Sequence, residues 1–194
     1  LIRATLALAG TPILVVRPNS ETALGESISY REIMVPLDGS QRAECVLPLA
    51  AALARTSGAQ LLLAHVISRP EMPRRMPTSE DEELAERVVE RNREESERYL
   101  EQLRTRYAVN TATRILVDDN VPAALHNLAQ QENVDLVVLC AHGYSGEPRW
   151  PFGSIANNLI NYYDKSMVIV QDLPADLPSE DNQAPRKRSG APYP

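Results

Sequence analysis

The chain has 194 residues, of which 43% are hydrophobic and 24% are charged, and its formal net charge is −6. These values are typical of one sizeable globular domain with short flanking segments. They exclude a basic field that would attract nucleic acid, and the longest apolar run is too short to span a bilayer. We therefore expect a cytoplasmic protein with no nucleic-acid or membrane partner, whose two cysteines, Cys45 and Cys140, are reduced and buried.

The first thirty residues are expected to lie outside the main domain. The chain opens on Leu1 rather than Met, and its Ile13-Leu14-Val15-Val16 run is similar to Met167-Val168-Ile169-Val170 near the other end. We interpret residues 1–18 as the last helix and strand of a preceding copy of the domain, and residues 19–30 as a polar linker. On this interpretation the chain is the carboxyl-terminal part of a tandem protein.

From residue 31 onward, short apolar runs alternate with helical stretches. The first strand is predicted over Glu32–Leu37, and an Ala- and Leu-rich helix over residues 40–57 follows it and ends at Gly58. The later predicted elements are a strand over Gln60–Ile67, a Pro-rich loop over residues 68–78, a charged helix over Ser79–Tyr107, a strand over Thr111–Val117, a helix over residues 120–132, a strand over residues 134–140, a helix over residues 154–163 and a strand from Met167 to Gln171. This alternation predicts a doubly wound α/β domain with a parallel sheet over residues 31–172. Residues 173–194 are expected to be a disordered tail.

Two groups of residues lie at the carboxyl ends of strands that should be neighbours, where doubly wound sheets bind ligands. Asp38 follows the first strand, and it could accept hydrogen bonds from an adenosine or simply cap the next helix. Gly143 follows the fourth strand and lets the backbone approach a ligand closely. Gly153 and Ser154 open the last helix, which offers N–H groups, a hydroxyl and the positive end of the helix dipole to a phosphate.

These motifs together resemble the universal stress protein family. The resemblance rests on IMVPLDGS before an Ala-rich helix, LLLAHVI in the second strand, and HG nine residues before GS. Nucleotide-binding members carry G-x-x-G-x9-G-[ST], which here is Cys140-Ala141-His142-Gly143, nine residues, then Gly153-Ser154. The resemblance implies a Rossmann-like adenine-nucleotide α-hydrolase-like fold, a five-stranded parallel sheet in the order 3-2-1-4-5. It also implies a site for ATP or AMP with Mg²⁺ or Mn²⁺, formed by Pro36, Asp38, Val66, Cys140, His142, Gly143, Gly153, Ser154 and Ile155.

Some features favour an alternative, a nucleotide-free scaffold of the same fold that acts through protein–protein interaction. Cys140 stands where the family pattern has a glycine, and Pro148 and Pro151 remove two N–H donors from the loop. The last strand, from Met167 to Gln171, would lie at a sheet edge with unpaired backbone groups. It could pair with the same strand of a second chain in a homodimer, or with residues 12–16 as the remnant of a paired tandem domain.

No catalytic or metal-binding residue is predicted. His142 is expected to orient its loop by hydrogen bonding, His65 to be a satisfied strand-end residue and His126 to be solvated. The Asp118-Asp119 pair is expected to cap the next helix, since no third ligand is evident. The function expected from this pattern is therefore a stress-response regulatory protein that binds a nucleotide rather than an enzyme, although slow ATP hydrolysis would be compatible with it.

Overall fold

The computed structural model describes residues 11–17, 29–71, 78–107, 109–143 and 152–171. Within these segments lie six strands and five helices. In chain order they are β1 (Ile13–Val15), β2 (Glu32–Leu37), α1 (Gln41–Glu44), α2 (Leu47–Ser57), β3 (Gln60–Ile67), α3 (Ser79–Tyr107), β4 (Thr111–Val117), α4 (Val121–Gln131), β5 (Leu136–Cys140), α5 (Ser154–Tyr162) and β6 (Ser166–Val170). The predicted α/β class is confirmed. Most of the predicted linker, the tail over residues 173–194, and residues 1–10 of the predicted preceding copy lie outside the described residues.

The strands form one sheet in the order β1-β6-β5-β2-β3-β4. Strands β2 to β6 are parallel to one another, whereas β1 pairs antiparallel with β6, with Leu14 opposite Val168. The predicted order 3-2-1-4-5 holds for the five parallel strands β2 to β6, but the prediction of a five-stranded sheet is wrong, because β1 joins it as a sixth, antiparallel strand. The physical reason is the open edge of β6, whose backbone groups β1 satisfies while Ile13 and Val15 pack against the core. That residues 1–18 derive from a preceding copy of the domain stays a prediction.

The helix predicted over residues 40–57 is interrupted. It consists of α1 and α2, separated by a turn at Cys45 and Val46. Pro48 explains the break, since its ring has no N–H to donate to Glu44, four residues earlier, and would clash with that carbonyl in a continuous helix. Pro48 is instead accommodated in the first turn of α2, where a missing N–H costs nothing. Gly58 ends α2 with φ of 70°, in the left-handed region that favours glycine, as its position predicted.

Two apolar clusters cover the faces of the sheet. On one face, α4 and α5 pack against strand residues such as Met34, Leu62 and Val137, all fully buried. On the other face, α1, α2 and α3 pack against Ile33 and Leu61, among others. Successive strand residues belong to opposite clusters because side chains alternate across a strand, and so a sheet covered on both faces needs uninterrupted apolar runs.

The sheet opens at the point where strand order reverses. β2 is paired with β3 along its whole length, to Leu37 opposite His65. On its other side, β2 pairs with β5 in the described strands only at Ile33 and Met34, near its start. The chain crosses from β2 to β3 on one side and arrives at β5 on the other, so none of the described connections fills the space between the carboxyl ends of β2 and β5. A crevice therefore forms there.

Acidic side chains gather at the opposite, amino-terminal edge of the sheet. The Asp135 carboxylate accepts the backbone N–H groups of Arg31 and Glu32, at 2.8 and 3.4 Å, and so holds the start of β2 beside β5. Burial, together with the nearby charges of Glu132 and Asp135, raises the pKa of Glu32 to about 7 against the opposing effect of Arg114. This edge is consequently sensitive to pH near neutrality.

Candidate functional site

A cavity of about 660 Å³ occupies the crevice between β2 and β5. Its size is in the range of small-molecule sites. Every residue that the sequence assigned to the nucleotide site lines this cavity: Pro36, Asp38, Val66, Cys140, His142, Gly143, Gly153, Ser154 and Ile155. The fold thus brings together side chains from the ends of three strands and the start of one helix. Their role in binding a nucleotide stays a prediction.

Asp38 is held in place by the residues that follow it. Its Oδ1 accepts the backbone N–H of Ser40 at 3.0 Å and the Ser40 hydroxyl at 2.6 Å. The Ser40 Oγ in turn accepts the N–H of Ala43 at 3.1 Å and caps α1. The helix cap is therefore Ser40, and Asp38 orients the cap rather than replacing it. Gly39, at φ of 82°, supplies the left-handed residue that this tight turn requires.

Asp38 reaches across the crevice to Gly143. A methyl group in place of the hydrogen on the Gly143 Cα would collide with Oδ2 of Asp38 and lie 3.3 Å from its Cγ. The loop after β2 and the loop after β5 are therefore in contact at this point, and only glycine leaves room for the carboxylate. A carboxylate that lies against a bare backbone, beside a cavity, is well placed to accept hydrogen bonds from the hydroxyl groups of a ligand.

The start of α5 forms the other polar wall. The N–H of Gly153 donates to the carbonyl oxygen of Ala141 at 2.7 Å, which fixes the helix start against the end of β5. As at every helix start, the first-turn N–H groups of Ser154 and Ile155 have no intrahelical acceptor, and Gly153 has no side chain that could cap them. Both residues line the cavity. The arrangement is suited to an anionic group such as a phosphate.

The remaining wall is apolar and was only partly found from the sequence. Beside Pro36 and Val66, it includes residues that the sequence analysis missed, among them Ala64, Val121, Leu125 and Leu139. Val121 and Leu125 are four residues apart at the start of α4, so they lie on one face of that helix. That spacing was a usable signal, but which side of the sheet α4 covers depends on the crossover topology. The cavity thus joins an apolar half to a polar half, as an adenosine and its phosphates would require.

The histidines differ in their surroundings. His142 lines the cavity and is 3% exposed. His65 Nδ1 lies 2.8 Å from the carbonyl oxygen of Leu37, so this nitrogen carries the proton and ties the end of β3 to the end of β2. His126 is half-buried, and its ring contacts the Tyr163 ring edge-on at 5.5 Å. His126 is therefore only partly solvated, in contrast to the prediction, because the end of α5 packs beside α4.

The described part of the chain shows no cluster of three potential metal ligands. Asp118 Oδ1 accepts the N–H of Asn120 at 2.8 Å, and Asp119 Oδ1 accepts the N–H of Arg69 at 3.0 Å. Each carboxylate thus orders local backbone. Among the described residues that line the cavity, Asp38 is the one with a carboxylate side chain. These donors do not form a cation site by themselves, and a divalent ion in the cavity would depend on ligands that a nucleotide's phosphates supply.

The two cysteines were expected to be reduced, buried thiols. Cys140 is buried, but Cys45 is exposed, because it lies in the turn that Pro48 creates between α1 and α2. Their sulfur atoms are 3.7 Å apart. Nothing in the sequence spacing indicated this proximity, since it arises from the way α1 packs beside β5.

The profile that describes the universal stress protein family matches residues 29–171 of the chain. That range contains β2 to β6 and every described residue of the cavity wall. The chain belongs to the universal stress protein family. Universal stress protein MJ0577 of Methanocaldococcus jannaschii is 23% identical to it over 157 residues, which are 75% of this chain and 97% of that protein.

Solved structures of universal stress proteins have a similar fold. UspA from Lactobacillus plantarum superposes with a TM-score of 0.66 at 19% identity, over 74% of this chain and 99% of that one. A universal stress protein solved in complex with cAMP superposes with a TM-score of 0.50 at 20% identity, over 75% of this chain and 100% of that one. At such identities the likeness shows the fold alone. In addition, no helix in the described segments of this family member has the length and apolar content needed to cross a membrane.

Proposed function

We propose that the protein is a regulatory, stress-response member of the universal stress protein family that binds an adenine nucleotide, with ATP or AMP as the ligand. One observation carries the proposal. All nine residues expected from the family's nucleotide-binding pattern line a single cavity, which has an apolar half and an anion-accepting half. The complex of a similar universal stress protein with cAMP supports the same class of ligand.

The geometry suggests how the nucleotide lies. The adenosine packs against Pro36 and Val66, and its ribose or base donates hydrogen bonds to Asp38, which Ser40 already orients. The phosphates lie against Gly143 and the first turn of α5, where N–H groups and the Ser154 hydroxyl meet them. Mg²⁺ or Mn²⁺ would accompany ATP, and its ligands would come mostly from the phosphates, because the described part of the cavity wall offers only the carboxylate of Asp38.

We also propose that binding, rather than turnover, is the purpose of the site. The groups along the described wall can hold and orient a nucleotide, and His142 is buried where it can order the loop after β5. Slow ATP hydrolysis is compatible with this arrangement. We further propose that the protein acts in the cytoplasm, with the bound nucleotide controlling its contact with a partner.

A second candidate is a nucleotide-free scaffold that acts through its sheet edge. Two observations favour it. Cys140 places a β-carbon and a sulfur where the family pattern has its first glycine, and Leu14 in β1 and Val16 directly after it are half-exposed at the sheet edge. β6 already has β5 on one side and β1 on the other. A homodimer through the last strand would therefore require β1 to leave, whereas pairing as a tandem unit would use β1 as it stands.

Calorimetry with a matched pair of variants separates the two candidates. Asp38→Ala removes the proposed ligand, whereas Asp118→Ala removes a carboxylate that makes the same local turn after β4, away from the cavity. We expect the wild-type protein and the Asp118 variant to bind ATP in the presence of Mg²⁺, and the Asp38 variant to bind it at least about tenfold more weakly, a loss of about 1.4 kcal/mol. Absence of ATP affinity in the wild-type protein would favour the scaffold.

A further inference from the structure

The two cysteines come from segments far apart in the chain and meet beside the cavity. Cys45 and Cys140 are 95 positions apart, and their sulfur atoms are 3.7 Å apart. Cys45 follows α1 and is exposed, whereas Cys140 is the last residue of β5, is buried and lines the cavity. An exposed thiol in contact with a buried one, at the wall of a ligand site, is an arrangement that neither the family pattern nor the sequence spacing supplies.

The contact is close to the geometry of a disulfide. An S–S bond is about 2.05 Å long, so the two sulfurs would need to approach each other by roughly 1.7 Å. The Cys45 side chain is exposed and lies in the short turn between α1 and α2. Its backbone, at φ of −58° and ψ of −21°, is unstrained.

We propose that Cys45 and Cys140 form a reversible disulfide, and that this disulfide weakens binding in the adjacent cavity. The disulfide itself is inferred from the sulfur contact alone, whereas its effect on binding rests on the proposed nucleotide-binding function. The oxidant is a peroxide. The modification would connect the oxidation state of the surroundings to the occupancy of the site.

The chemistry balances with hydrogen peroxide as the oxidant. The Cys45 thiolate attacks one peroxide oxygen, the O–O bond breaks, and the hydroxide that leaves takes up a proton to become water. The Cys45 sulfenic acid is then attacked by the Cys140 sulfur, so that the S–S bond forms, the S–O bond breaks, and the thiol proton leaves with the second hydroxide as water. Two thiols are oxidised by two electrons, and one peroxide is reduced to two water molecules. A dithiol reverses the reaction by exchange.

The effect on the cavity follows from what α1 carries. Ala43, in α1, lines the cavity, and Ser40, at the start of α1, orients the Asp38 carboxylate. A disulfide draws the end of α1 towards β5, which narrows the cavity at Ala43 and shifts Asp38 relative to Gly143. We therefore expect the oxidised protein to bind ATP on the order of tenfold more weakly than the reduced protein, in the usual range of coupling between two sites.

The test uses the full chain, first reduced and then titrated with hydrogen peroxide. Trypsin cuts after Arg42, Arg55, Arg114 and Arg149, so the disulfide would join the peptides of residues 43–55 and 115–149. We expect this cross-linked pair in the mass spectrum of the oxidised monomer, and its loss after treatment with dithiothreitol. A failure to form it, or disulfides only between two chains, overturns the modification site.

Calorimetry with ATP and Mg²⁺ on the reduced and oxidised protein tests the coupling, with Cys45→Ser as the control. Cys45 does not line the cavity, so the variant should bind ATP like the reduced wild-type protein and should not respond to peroxide. Equal affinities of the two wild-type forms, or the same loss in the Cys45 variant, would overturn the coupling. If the reduced wild-type protein binds no adenine nucleotide, the proposed function fails instead, and peptide mapping still decides the modification site.

Discussion

Substitution of Gly143 by alanine perturbs the contact that joins the two loops of the site. The new methyl group would collide with Oδ2 of Asp38, the end of a short and exposed side chain. Rotation of Asp38 relieves the collision, but it breaks the two hydrogen bonds with Ser40. Because these bonds are exposed, we expect their loss to cost about 1 kcal/mol in the free energy of unfolding, at the lower end of their usual value.

The same rotation removes Asp38 from the position in which it would meet the nucleotide. Hydrogen bonds to a charged group contribute about 1.5–3 kcal/mol, so Gly143→Ala should weaken ATP binding roughly 10- to 100-fold. Calorimetry gives the affinity, and urea unfolding gives the stability. Both can be measured for Gly143→Ala, for Asp38→Ala and for the double variant.

The double variant provides the decisive comparison. Once Asp38 is alanine, the carboxylate that collides with the methyl group is gone, so Gly143→Ala should cost little further stability or affinity. The two substitutions should therefore be non-additive, as expected of residues in contact. Fully additive losses, or a Gly143→Ala protein that binds ATP as the wild type does, would refute the reasoning.

Three further predictions concern the fold. Glu32→Gln should increase the free energy of unfolding over that of the wild type, and by more at pH 8 than at pH 5. In the wild type, a carboxyl group whose folded pKa of about 7 exceeds its usual 4.5 makes stability fall as pH rises between those values, and glutamine removes this loss. Unfolding curves of the variant that keep the wild-type pH dependence would contradict this. Asn120→Ala removes the side chain that caps α4 at 3.2 Å from the Ala123 N–H, and it should cost about 1 kcal/mol in urea unfolding, whereas an unchanged midpoint would argue against the cap. Deletion of residues 1–20 removes β1 and exposes the edge of β6, so light scattering should show self-association; a well-behaved monomer would show that β1 does not protect that edge.

Local signals in the sequence were sufficient for most elements. Largely apolar runs gave the observed bounds of β2 and β3, because strands covered on both faces need apolar residues, and a run rich in β-branched residues gave those of β4 at the sheet edge. Gly58 and Asn120 marked helix ends because a left-handed residue and a side-chain cap are local requirements. The interruption of the first helix at Pro48 was also a local signal, but the Ala- and Leu-rich composition around it concealed the break.

Features that depend on long-range packing could not be found in the same way. The strand Ile13–Val15 was recognised as apolar, yet its antiparallel pairing with β6 was only one of two open alternatives, because an edge strand can pair with any chain that supplies a partner. The polar residues of the cavity followed from the rule that parallel strands end at one edge. Its apolar wall at Val121, and the contact of Cys45 with Cys140, depend on how helices cross the sheet, which spacing alone does not encode.

The central claim is that the cavity between β2 and β5 holds an adenine nucleotide. A crystal structure of the reduced protein, grown with ATP and Mg²⁺, tests it most directly. We predict adenine packed against Val66, hydrogen bonds from the ribose or base to Asp38, and phosphates against Gly143 and Ser154. A cavity filled by the protein's own side chains at a saturating concentration of ATP would contradict the claim.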